Sequence, residues 1–196
     1  MNKLLFLPIL FFTLYLQAQD MKLPYHQIPD YPEDYGSGNL VSRMIDGLGY
    51  RYYWATEGLT VDDLNYKPSE NGRTTLETLQ HLYGLSLTIV NAPENKPNVR
   101  PMDFTIFSYK ELREKTLFNL KKASELSLGK TAGEIESFKV IFQRGDKQFD
   151  FPFWNMLNGP IADAIYHTGQ IVVLRRASGN PVNPGMNVFT GKTKEN

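Results

Sequence analysis

The chain has 196 residues, 41% hydrophobic and 13% aromatic, enough for one domain with a substantial core and too apolar for a disordered chain. Lysine plus arginine balance aspartate plus glutamate at 21 each, which excludes the basic face of a nucleic-acid-binding protein. Cysteine is absent, so neither a disulfide nor a lipidated cysteine is available to the chain.

In chain order, residues 1–18 carry Lys3, an apolar run from Leu4 to Leu16 and the small residue Ala18. This reads as a secretory signal peptide cleaved after Ala18, with an uncleaved membrane anchor as the alternative, because the run is short for a bilayer span. Cleavage would leave a secreted or periplasmic protein with no membrane attachment. Residues 19–38 hold three prolines and three tyrosines without periodicity and read as an extended arm lying along the domain. His26, within it, reads as a solvated or tyrosine-packed histidine, with a fourth metal ligand as the alternative.

A first helix is predicted from Asn39, as its cap, to about Glu57, with Gly58 as the stop. Leu40, Met44, Leu48 and Tyr52, beside Val41, Ile45 and Trp54, give it a broad apolar face at helical spacing. The segment that follows is rich in turn formers. A second helix opens on a capping box, Thr74 to Glu77, and carries Leu76, Leu79, Leu82, Tyr83, Leu85, Leu87 and Ile89 to about Ala92. His81 lies within it, and Gly84 leaves space beside the ring. Alone, that histidine reads as a core or edge side chain; its meaning changes only if another helix supplies ligands at the same depth.

Residues 92–107 form a linker holding three prolines. Extended, at roughly 3.3 Å per residue, it can travel the length of the second helix, which would let the third run parallel to it. The third helix opens on a capping box, Ser108 to Glu111, and ends near Leu128 before Gly129, with Leu112, Leu117, Leu120 and Leu126 facing inward. From residue 137 to 151 the period changes: Phe138, Val140 and Phe142 alternate with polar or outward positions, and a glycine turn leads to Phe149 and Phe151, which signals a hairpin. Arg144-Gly145-Asp146 in that turn are ordinary turn residues rather than an adhesion motif.

The fourth helix is predicted from Pro152 to Ser178, bent at Gly159-Pro160 because the proline cannot donate to the carbonyl of Met156. It contains DAIYHTGQ, in which Asp163 and His167 stand four residues apart on one face and Gln170 continues the stripe. Ile165, Ile171 and Val173 suggest a core nearby, so these polar groups need partners, and a metal ion is one candidate partner. The expected fold is therefore all-α: a four-helix bundle over residues 39–179, its second and third helices joined by a long crossover, with a small β-hairpin before the fourth and a C-terminal coil at residues 180–196.

WATEGLTVDDLNYKP after the first helix, the lone histidine of LQHL and the YHTGQI segment together resemble the DinB-like (YfiT-type) family of metal-binding four-helix bundles, over about Asn39 to Ser178. The sharpest part of the likeness is the histidine followed by x-Gly-Gln-Ile. The resemblance implies a divalent metal held by one histidine of the second helix and two residues four apart on the fourth; by position these are His81, Asp163 and His167. Asp163 departs from the family, whose commoner residue there is histidine. A carboxylate oxygen binds zinc, iron or nickel at a distance similar to an imidazole nitrogen, although the same exchange would also suit a member that no longer binds metal.

Family activities implied by the resemblance are thiol-dependent transfer, isomerisation of maleylpyruvate type, and hydrolysis. A cytosolic thiol fits an exported chain poorly, so the expectation is a metal-dependent hydrolase using a metal-activated water on a small-molecule substrate, with zinc or nickel ahead of iron or manganese, and a homodimer as the assembly. Gln170 reads either as a group orienting a ligand or water, or as a polar residue packed between helices. Glu57 and Asp63 are weak candidates for a general base, more in keeping with solvated surface charges. The reading from a different class is a non-catalytic bundle binding a ligand or a protein, with His81, Asp163 and His167 as a hydrogen-bonded cluster.

Overall fold

Capping chemistry and helical periodicity account for most of what the computed structural model shows over residues 22–194. The signal-peptide reading, at residues 1–18, lies outside these described residues. Among them the helices are α1 (Ser37–Thr56), α2 (Val61–Asn65), α3 (Thr75–Asn91), α4 (Tyr109–Ser127), α5 (Ala132–Ser137), α6 (Trp154–Met156) and α7 (Ala162–Ala177). The strands are β1 (Pro97–Arg100), β2 (Lys139–Arg144), β3 (Lys147–Pro152), β4 (Met186–Asn187) and β5 (Lys192–Thr193). The protein is mostly helical with a small sheet, rather than all-α. None of the described helices is long and apolar enough to cross a membrane.

Both expected capping boxes form: Thr74 accepts from the Glu77 amide and Ser108 from the Glu111 amide, with each glutamate reaching back. Thr60 with Asp63 and Thr131 with Glu134 do the same for α2 and α5. Each cap satisfies amides that the first turn leaves without partners, a contribution of about 1 kcal/mol. Asn39 does not cap α1. The helix starts two residues earlier, and the Asn39 amide instead bridges the Asp34 carboxylate and the Gly129 N–H, at 2.7 and 2.9 Å.

α1 packs on α4, α4 on α3, α3 on α7, and α7 back on α1. Tyr83 meets Phe107, Ser86 meets Asn119 and Glu94 meets Lys122, so contacts advance together and α3 and α4 run in the same direction, as the long crossover allows. Ile45, Leu48, Leu79, Leu82, Leu112, Leu117, Leu120, Ile161 and Ile171 fill the centre and are essentially inaccessible to solvent. Of the face expected for α1, Val41, Ile45, Leu48, Tyr52 and Trp54 are buried, and only its Leu40 and Met44 edge is corrected. Leu40 and Met44 are exposed, and the buried stripe runs through Val41, Ile45, Leu48, Tyr52 and Ala55, the spacing that keeps one side of a helix on the core. Val173 of α7 is likewise exposed.

The arm lies along α1, as expected. Tyr25 is buried against Gly49 and donates to the Asp46 carboxylate at 2.9 Å. The tail is not the plain surface coil expected. β4 and β5 form a two-stranded ladder, and Thr193 pairs at 2.8 Å with the hydroxyl of Tyr50, a fully buried side chain whose polar tip needs a partner.

The expected hairpin is β2 with β3, and it gains a third strand: β1, from the linker, lies parallel to β2. Between β3 and α7 the chain makes the short α6 and a wide π-type turn, Leu157–Ile161, holding Pro160 and a non-helical Gly159. This break packs against α3, so the fourth helix is two pieces. At its far end Arg175 closes the last turn of α1, its Nη1 donating to the carbonyls of Trp54, Ala55 and Glu57 at 3.1, 3.1 and 2.9 Å.

Asp63, considered as a general base, is a structural group. Its carboxylate accepts from Thr60 N at 2.7 Å, Thr60 Oγ1 at 2.9 Å, Asn180 Nδ2 at 2.6 Å and the Ser178 hydroxyl, tying α2 to the end of α7. Burial alone would raise its pKa; the hydrogen bonds from Asn180, Ser178 and Thr60 outweigh it and bring the group to about 2. Asp63→Ala is expected to cost about 3 kcal/mol at neutral pH. The folded-state pKa is depressed, so this stabilisation is fully present above the unfolded value of about 4 and is lost as pH falls toward 2. Urea midpoints of wild type and variant should therefore converge in acid; a gap that stayed constant would refute the assignment.

Candidate metal centre

α7 sets Asp163 and His167 one turn apart, and α3 delivers His81 to the same depth from the neighbouring helix. His81 Nε2 lies 3.2 Å from Asp163 Oδ2, and His167 Nε2 lies 3.3 Å from Asp163 Oδ1. The two imidazoles meet edge to face with centroids 4.5 Å apart. One ligand atom from each residue falls within 4.8 Å of the others, a grouping that could hold a metal ion. The side chains are graded in exposure, at 13% for His167, 35% for His81 and 41% for Asp163, so the group sits at a rim where one side faces solvent.

Gln170, the third residue of the sequence stripe, determines what His167 presents. Its Oε1 lies 2.7 Å from His167 Nδ1. An amide oxygen only accepts, so Nδ1 carries the hydrogen, and in the neutral form of the ring the lone pair of Nε2 is the one turned toward Asp163. That lone pair faces a carboxylate oxygen that is also an acceptor. Two acceptors at that separation repel unless a proton or a cation lies between or beside them. Burial lowers the pKa of His81; its hydrogen bond to the Asp163 carboxylate opposes this, and Arg73 and, when protonated, His167 add to the lowering by charge repulsion. His81 is thereby favoured in the neutral form that a metal ligand requires.

A cleft of about 840 Å³ opens beside the group, lined by Arg73, Thr78, Tyr166, Gln170, Val173 and Leu174 among others. Its volume suits a small molecule. Sequence reading missed Arg73 and Tyr166, although both adjoin residues that it named: Arg73 precedes the Thr74 cap and Tyr166 precedes His167. Gly84 does not leave room beside His81. A Cβ there would stand 2.9 Å from the Phe104 ring, so that space is already filled by the linker.

The other candidates lie elsewhere. His26 packs on Tyr53 and Trp54, with centroids 5.6 and 5.0 Å away, and is not part of the group. Glu57 pairs with Arg113 at the end of α1, and neither Glu57 nor Asp63 lines the cleft. Compared with known proteins, the chain matches no family model, no curated protein and no solved structure. The functional reading therefore rests on the geometry of this site.

Proposed function

We propose that the chain is an exported, DinB-like four-helix bundle, with α1, α3, α4 and α7 as its four members, that holds a divalent metal at His81, Asp163 and His167 and hydrolyses a small molecule. The observation that carries this reading is the convergence of one ligand atom each from His81, Asp163 and His167 within 4.8 Å of one another, with Gln170 holding the other ring nitrogen of His167. Two imidazoles and one carboxylate favour zinc or nickel, with iron and manganese as the other choices.

Bound there, a divalent ion would supply Lewis acidity and lower the pKa of water. His81 and His167 contribute neutral donors, Asp163 offsets part of the charge, and Gln170 fixes the His167 tautomer and ring orientation. The cleft beside them receives the substrate, with Arg73 and Tyr166 at its wall. With three protein ligands the site leaves coordination free on the solvent side, as hydrolytic chemistry needs.

Elemental analysis of the mature protein, produced with zinc, nickel, iron and manganese supplied, tests the reading. Near-stoichiometric retention of one metal is expected, with hydrolysis of activated esters or amides lost on chelation and restored by that metal. A wild type that retained none would leave the three side chains as a hydrogen-bonded cluster and end the metalloenzyme reading. Gln170→Ala is expected to weaken metal binding about 10- to 100-fold while leaving the fold intact, measured by competition with a chromogenic chelator. Unchanged affinity would remove Gln170 from the site.

A further inference from the structure

The three-stranded sheet carries a row of like charges. Arg100 of β1 is in register with Arg144 of β2, and Arg144 with Lys147 of β3, so three cations stand side by side across all three strands. Like charges directly opposite one another destabilise a sheet. Among the described residues none of the three has an ion-pair partner, and Asp146 at the tip of the turn lines none of the cavity described below. Arg100 is half-buried beside α3, its guanidinium reaching to 3.8 Å from the place a Cβ on Gly84 would occupy. Burial alone holds its pKa below the ordinary arginine value, with no acid acting in the other direction.

Beside the charged row lies an aromatic floor. Phe149 is in register with Phe142, Phe151 follows two residues later on the same face, and the rings of Phe142 and Phe151 meet at 6.3 Å. Phe149 and Phe151 remain 53% and 41% exposed. The rings and the three cations together line a cavity of about 490 Å³, which shares no residue with the cleft at the metal centre.

We propose that this face of the sheet is a second binding site, for a small molecule that carries two or more anionic groups on a flat aromatic ring. The anionic groups relieve the repulsion within the row, and the ring lies on Phe142, Phe149 and Phe151. A neutral or cationic ligand would leave the repulsion in place, and a simple inorganic anion would leave the rings wet. The site is independent of metal at His81, Asp163 and His167.

Fluorescence polarisation of a hydroxypyrene trisulfonate probe with the mature protein tests this. Saturable one-to-one binding is expected, at least about tenfold weaker in Arg144→Gln/Lys147→Gln and about two- to tenfold weaker in Phe149→Leu. Because Arg144→Gln relieves repulsion, its melting temperature should equal or exceed that of the wild type, which separates lost binding from lost fold. Naphthalene disulfonate should displace the probe at concentrations where sulfate does not. No saturable binding, or undiminished binding by the folded charge variants, would overturn the site. Displacement by sulfate as effective as by the disulfonate would overturn the aromatic half of the assignment. Displacement by phosphatidylglycerol vesicles but not by the disulfonate would reassign the surface to a membrane and overturn it as a small-molecule site.

Discussion

His167→Ala is expected to abolish metal retention, lowering affinity by more than the roughly 100-fold upper range for loss of an outer partner of a ligand. The ring is the least exposed of the three and the only one held by Gln170, so its loss removes a donor and releases the amide that oriented it. His81→Ala should have the same effect from the α3 side. Asp163→Asn keeps the shape and removes the charge, and should weaken binding strongly, whereas Asp163→His supplies a nitrogen donor at the same position and should retain metal. Elemental analysis and chelator competition read all four. Metal content unaffected by both histidine substitutions would place the ion elsewhere. These variants should remain folded, since the three side chains lie at a rim and not in the packed centre.

Gly38→Ala should produce the largest loss of stability from a single methyl group. A Cβ at Gly38 would stand 2.2 Å from the carbonyl oxygen of Ser127 and 2.5 and 2.6 Å from N and O of Lys130. These are main-chain atoms that cannot rotate aside. The start of α1 would have to part from the end of α4, straining the Gly38 N–H bond to Lys130 O at 2.9 Å and the Ser42–Ser124 hydroxyl pair at 2.8 Å. The expected cost is about 3 kcal/mol, which for a domain of this size lowers the melting temperature by about 6 to 12 °C. Gly133→Ala is the control, because its added methyl meets nothing within 4 Å and the helix gains propensity. Equal melting temperatures for the two variants would contradict the close approach.

The candidate site was legible in sequence because its parts obey local rules. Asp163, His167 and Gln170 share a stripe by helical periodicity, and the Thr74 and Ser108 boxes mark where α3 and α4 begin. That His81 reaches the same depth depends on packing between two helices, and only the family resemblance suggested it. What sequence concealed was long-range. β1 is four residues that begin with Pro97 and are followed by Pro101, and its partner β2 lies some forty residues on, so neither period nor turn announces the pair. The inward stripe of α1 was drawn too wide because Leu40 and Met44 fit an apolar helix face as well as Val41 and Ile45 do; burial by α4 and the arm decided between them. Tyr50 and Thr193 illustrate the same limit, since a buried hydroxyl recruited a tail that composition alone presents as coil.

Arg175, which closes the end of α1, sits on the same helix as His167, eight residues and therefore about 12 Å and 80° farther along. Two fixtures keyed to one rigid shaft impose a phase condition on the segment between them. Adding or removing one residue there would rotate them relative to each other by about 100°, so that the ligand set and the clamp on α1 could not both engage. The stretch from Thr168 to Leu174 is thus constrained in length more tightly than in composition. Val173, exposed in this stretch, lines the cleft, so its chemistry bears on the ligand while the count of residues bears on the register.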